Sequence, residues 1–171
     1  MQDKDYAGFK KFVTDEFKTI GVSKYLFTKA RHYMDDGCDF GGIFKYRNKM
    51  FAFKLCSWHN DDKYIRIYPI VISSVKHWRT IYSRSLDIPY EPGLFIGVRL
   101  PKANKYEIGN TVLAYQFGMQ IPCRIIDIYC SSYKIKYYVE PLESLKCFGL
   151  VALNNKFMCF ESNIKPLDSG I

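Results

Sequence analysis

The chain lacks every short signature that would announce catalysis. No G-x-x-x-x-G-K-[ST] loop is present to cradle nucleotide phosphates, no G-x-S-x-G elbow presents a nucleophile, and the adjacent Gly41 and Gly42 read as a turn. His32, His59 and His77 fall in different expected elements, with no nucleophile at a family-like spacing. Neither an enzyme nor a cofactor is expected. Long hydrophobic runs are missing too. The longest apolar stretches extend only a few residues, against the roughly 20 that span a bilayer, so a soluble protein without a membrane partner is expected. Close cysteine pairs are also absent, since Cys38, Cys56, Cys123, Cys130, Cys147 and Cys159 are scattered. The opening MQDKDYAGFKK has no apolar h-region. Together these point to six reduced thiols in a cytoplasmic or nuclear, non-secreted protein.

Two further chemistries are each short of a member. His32, Cys38, Cys56 and His59 are the residue types that zinc takes, but only Cys56-x2-His59 has the spacing of a ligand pair, so no metal site is expected. A nuclease of the PD-(D/E)xK kind needs an acid on one strand and a second acid two residues before a lysine on the next. Asp39 and Lys54 match the ends of that pattern, and Ala52 stands where the second acid belongs.

Against these absences stands a composition that is 48% apolar, 17% aromatic and 25% charged over 171 residues, which suits a globular fold burying roughly 70% of its unfolded surface. The net charge is +8, and it is unevenly spread. Residues 1 to 62 hold 11 basic and 9 acidic side chains, and residues 106 to 171 hold 6 of each. Between them, Lys63, Arg66, Lys76, Arg79, Arg84, Arg99, Lys102 and Lys105 are opposed only by Asp87 and Glu91. A local excess of this kind attracts polyanions through counterion release.

The pattern along the chain predicts an α+β fold. Phe9, Val13 and Phe17 have helical spacing, Gly21 is a natural stop, and Val22, Tyr25, Leu26, Ala30 and Tyr33 predict a second helix capped by Ser23, completing an N-terminal helical hairpin. A central mixed β region follows. It comprises a hairpin turning at Arg47, Asn48 and Lys49, a strand over KYIRIYPIVIS, a helix over 74–86 behind Ser74, and a strand over GLFIGVRLP. KANKYEIGN, 102 to 110, reads as a linker, dividing a 1–105 domain from a 106–171 domain.

The second domain reads as five short strands, with Gly109, Val112 and Ala114 in the first, Pro122, Arg124, Ile125 and Ile128 in the second, Tyr137 and Val139 in the third, and Ile164, Pro166 and Leu167 at the close. This order resembles the SH3-like small barrels of Tudor and related nucleic-acid modules, which implies a C-terminal antiparallel barrel with Val112, Ile125 or Ile126, Val139 and Val151 in one core. An acidic, Tyr-rich loop before the last strands, which methyl-ligand recognition would need, is missing. Tyr115, Phe117 and Tyr129 are expected to pack rather than to line an aromatic pocket.

These features combine into a non-enzymatic basic protein that binds nucleic acid, single-stranded or by its backbone, with low sequence specificity. The expected contacts are Tyr64, Arg66, Tyr68, Arg79, Arg84, Arg99 and Lys102, with Ile65 and Ile67 turned to the core. The alternative is a structural or adaptor subunit of a larger assembly, such as a viral particle or ribonucleoprotein, whose partners are protein subunits.

Overall fold

The computed structural model describes residues 3–31, 38–58, 62–73, 76–116, 118–131, 134–143 and 155–167. Among the described residues the fold is mostly β, at 54% strand and 15% helical, with one helix and two sheets, which overturns the α+β reading of a helical hairpin followed by a closed SH3-like barrel. It divides into two compact units, one formed by Met1–Ile70 with Thr80–Ala103 and the other by Val71–Arg79 with Asn104–Ile171.

The first unit is built on α1 (Asp3–Thr19), whose Phe9, Val13 and Phe17 are buried while Lys10, Lys11 and Lys18 are exposed. Gly21, at φ +75°, ends the helix. Its N–H bonds to the Lys18 carbonyl at 3.2 Å and the Val22 N–H to the Phe17 carbonyl at 2.9 Å, the bonding of a Schellman cap. No second helix follows. Lys24–Arg31 is strand β1 instead, with Tyr25 and Phe27 at alternate positions laying their rings 5.1 Å from Phe17 and 5.9 Å from Phe9. KYLFTKAR fits both periods, and pairing along its whole length with β2 (Cys38–Tyr46) decides for the strand.

β3 (Lys49–Ser57), β4 (Lys63–Ile72), β5 (Trp78–Thr80) and β6 (Leu86–Pro89) complete a six-stranded sheet ordered β1-β2-β3-β4-β5, with β6 also pairing β4. Its inner face and α1 enclose an aromatic core in which Phe17 lies 4.9 Å from Phe44, 5.6 Å from Phe53 and 5.5 Å from Phe95. Gly41 and Gly42 are strand interior, not a turn. Gly42 pairs with Phe27 on one side and Phe53 on the other, and the two rings meet edge-to-face at 5.8 Å across the strand that carries it.

Two further expectations fail here. The helix over 74–86 is replaced by β5, a 3-10 turn at Tyr82–Arg84 and β6, while Ser74 and Val75 lie outside the described residues. The strand over 93–101 is replaced by tight turns, because Gly93 and Gly97 take φ of +84° and +72° and the chain folds back through the bonds Ile96 N–H to Gly93 and Val98 N–H to Phe95. Leu94 and Phe95 still reach the core.

In the second unit, β7 (Thr111–Gln116), β8 (Met119–Cys130), β9 (Ile135–Pro141), β10 (Phe157–Phe160) and β11 (Ile164–Pro166) form an antiparallel sheet ordered β10-β9-β8-β7-β11. Val112, Ile125 and Val139 are buried together with Ile121, Cys123, Tyr137 and Cys159, and Val151 lies outside the described residues. A bulge between Ile125 and Asp127 helps to curl the sheet, and a 3-10 turn at Glu161–Asn163 joins its two edge strands. No ladder among the described residues pairs β10 with β11, so the curl stops at a half-barrel. The expected linker is tied down at its second half. Lys105 and Tyr106 donate backbone N–H groups to the buried Tyr137 hydroxyl at 3.0 and 3.3 Å, and Tyr106 donates its own hydroxyl to the Ile164 carbonyl.

Candidate nucleic-acid interface

Period two in β4 places Ile65 and Ile67 in the core and turns Tyr64, Arg66 and Tyr68 to the other face, as the alternation requires. That other face is covered by its own neighbours. Tyr64 is only 7% exposed, stacked 4.2 Å from the Trp58 ring, with the Arg66 guanidinium 5.3 Å over it. Tyr68 is half-buried with its ring edge-to-face on Tyr82 at 5.2 Å. Arg66 sits directly across from Asp87 in the β4–β6 ladder and donates Nε–H and Nη2–H to its two oxygens at 2.6 and 2.7 Å. These charge-assisted bonds raise the pKa of the guanidinium further and close its two-pronged donor edge to phosphate. In this stack the ring with half of its surface open is Trp58, which the sequence reading passed over.

The rest of the expected set lies off β4. Arg84 donates to the Ala103 carbonyl at 2.5 Å from within the 3-10 turn. Arg99 and Lys102 are exposed on the irregular stretch after the Gly97 turn, and Arg79 is exposed in the second unit. Tyr64, Arg66 and Tyr68 come together as structure, and Arg84 reaches the residue next to Lys102. Tyr115 and Tyr129 do not pack as expected: both are exposed. Tyr115 pairs with Gln120, nine positions along β8 from Tyr129, or about 30 Å of strand, too far to share a pocket. Phe117 lies outside the described residues.

A different basic group is assembled at one end of the first unit's sheet. Lys24 and Lys45 lie directly opposite each other in the β1–β2 ladder. The β2–β3 connection that follows is a two-residue turn of Arg47 and Asn48 at φ +47° and +62°, and it returns the chain to Lys49, opposite Tyr46. Arg47 stands at the tip with its guanidinium 5.1 Å over the Tyr46 ring. No carboxylate among the described residues pairs with Lys24, Lys45 or Arg47. The sequence carried a signal for this group: residues 40–60 hold Lys45, Arg47, Lys49 and Lys54 without an acid, an excess hidden in the tally for residues 1 to 62.

The enzyme-like patterns resolve as follows. Lys54 and Asp39 are an ion pair at 2.9 Å across β3 and β2, and hydrogen bonding to that carboxylate raises the lysine's pKa. Among the described residues no three His, Cys, Asp or Glu side chains converge as a metal would need. His32, His59 and the Cys38 side chain, three of the four zinc candidates, lie outside them. Cys56, Cys123, Cys130 and Cys159 are free thiols, and Cys147 is outside the described residues. No helix among the described residues is long and apolar enough to cross a membrane. No family model, curated protein or solved structure matches the chain.

Proposed function

We propose that this chain is a non-enzymatic protein of the cytoplasm or nucleus that binds single-stranded nucleic acid by its backbone, with low sequence specificity, through Lys24, Lys45, Arg47 and Lys49. One observation carries the reading: Lys24 faces Lys45 directly across a ladder, a like-charge pair that opposes folding, with Arg47 beside it in a left-handed conformation. A polyanion relieves that repulsion, and released counterions supply the driving force. Exposed Trp58, already braced on one side by Tyr64, provides a stacking surface at the far end of β3.

The test is fluorescence anisotropy with a labelled single-stranded oligonucleotide over a salt series. Lys45→Ala and Arg47→Ala should each make the slope of log K against log salt shallower by about 0.7. Absence of binding at low salt, or slopes unchanged in both variants, overturns the reading.

The alternative, a structural or adaptor subunit, is favoured by a different observation. On the outer face of the second unit's sheet, Tyr129, Lys136 and Phe160 form one cross-strand row and Asp127, Tyr138 and Met158 the next, with Tyr129, Tyr138, Met158 and Phe160 all exposed. Cross-linking to protein partners that survives nuclease treatment and is lost in Tyr138→Ser/Met158→Ser identifies this role.

A further inference from the structure

Sheet edges are where a β protein is open to other chains, and nearly every edge here is blunted. Among the described residues β5 and β11 have three residues, β6 and β10 have four, and β6 and β11 both end in proline. β1 is the exception. It is eight residues long, contains no proline, and among the described residues pairs with β2 alone, in unbroken register. In an antiparallel ladder every second residue of such a strand turns its N–H and C=O away from its partner, leaving a row of open donors and acceptors. No residue from Lys24 to Ala30 is buried, and Leu26 is 60% exposed.

The composition of this edge selects what fits it. KYLFTKAR holds three basic residues and no acid. A second copy of β1 would bring the same three cations to the same edge, so self-pairing is opposed by charge. Leu26 begins an apolar row that continues across the outer face through Ile43, Ala52 and Tyr68, and Lys24 lies two residues before it on the same face. An added strand therefore meets a cation and an apolar side chain two positions apart. We propose that β1 is a docking edge for an extended acidic segment of another polypeptide, which adds as a seventh strand and places a carboxylate against Lys24 and an apolar side chain against Leu26.

The experiment uses the full chain and a fluorescein-labelled octapeptide of the repeat Glu-Ser-Val-Ser, which alternates acid and apolar side chains on one face of a strand and carries serine on the other. Fluorescence polarisation should show saturable binding, weakened about tenfold or more by Leu26→Asp, with the Lys-Ser-Val-Ser peptide not binding. Peptides N-methylated at alternate residues should divide by parity, one set binding and the other not, because only one set turns its N–H groups to β1. This last arm needs no protein variant, so it does not depend on how a substitution folds. Failure of the acidic peptide to bind, or equal binding by both N-methyl sets, overturns the proposal. So does concentration-dependent dimerisation abolished by Leu26→Asp, which assigns the edge to a second copy, or displacement of the peptide by oligonucleotide with no parity effect, which reduces the contact to charge.

Discussion

Replacing Arg66 separates the two roles that a basic residue on a basic segment can play. Its side chain is 32% exposed and that of Asp87 27%, so the pair is neither free in solvent nor sealed in the core. Hydrogen bonds to charged groups contribute roughly 1.5–3 kcal/mol when desolvated, and exposed ion pairs about 0–1 kcal/mol. The guanidinium also covers the Tyr64 ring, a cation–π contact of about 0.5–1 kcal/mol at a partly open site. Arg66→Ala removes both and strands a half-buried carboxylate, so the expected loss is about 2–3 kcal/mol. For a chain of this length each kcal/mol lowers Tm by about 2–4 °C, which predicts a fall of about 5–10 °C.

The assay pairs thermal and urea unfolding of Arg66→Ala, Asp87→Ala and the double variant with oligonucleotide anisotropy over the same salt series. The cycle should give a coupling energy of about 1–2 kcal/mol, within the range for contacting residues. The oligonucleotide salt slope of Arg66→Ala should match the parent protein, because that cation already faces Asp87. A shallower slope with unchanged stability would refute the reasoning and return Arg66 to the nucleic-acid interface.

Three other perturbations probe the fold at separate points. Gly42→Ala should destabilise by about 1–3 kcal/mol or more in urea unfolding, since a Cβ there collides with the Leu26 carbonyl oxygen; a neutral result would mean that β1 shifts freely. Tyr137→Phe deletes the hydroxyl that donates to Glu161 at 2.6 Å and accepts from Lys105 and Tyr106, and should cost about 1–3 kcal/mol and raise amide exchange at 105–106; protection left intact would show that the segment is held by other contacts. Burial pushes the Cys123 thiol up to about 12 and the Cys159 thiol up to about 11, so the unfolded chain releases these protons first as pH rises above 9. Stability from both is fully present below pH 9 and falls by about 1.4 kcal/mol per thiol per pH unit above it, on the order of 5 kcal/mol by pH 11. Urea midpoints that stay level from pH 9 to 11 in the parent, or that fall equally in Cys123→Ala/Cys159→Ala, would contradict this.

Elements fixed by local chemistry were legible in the sequence, and those fixed by remote partners were not. The α1 stripe, the Gly21 stop, the β2–β3 turn at Arg47 and Asn48, and the inward pair Ile65 and Ile67 each follow from spacing or turn chemistry within a few residues. Lys24–Arg31 was misread because helical and strand periods both fit it, and the arbiter, β2, lies beyond residues 32–37 in the chain. GLFIGVRLP was misread because its apolar residues do reach a core, by way of two left-handed glycines rather than by alternation.

What a charge count leaves out is register, and two pairs show it. Arg66 and Asp87 are 21 residues apart, as are Lys24 and Lys45. In each case strand pairing brings the two residues face to face, but one ladder joins opposite charges and the other joins like charges. A count over residues 63 to 105 adds Arg66 to a positive surface although Asp87 answers it, and a count over residues 1 to 62 averages away a lysine pair that no acid among the described residues pairs with. Charge becomes a binding site only where register leaves it unanswered. In this chain Lys24, Lys45 and Arg47 pair with no carboxylate among the described residues, which is where the proposed polyanion contact is placed, and the proposed strand-docking edge begins at the same Lys24. Lys24 belongs to both, so the two ligands should compete at Lys24 while Leu26→Asp weakens the peptide far more than the oligonucleotide. Equal loss of both would mean a single, purely electrostatic surface.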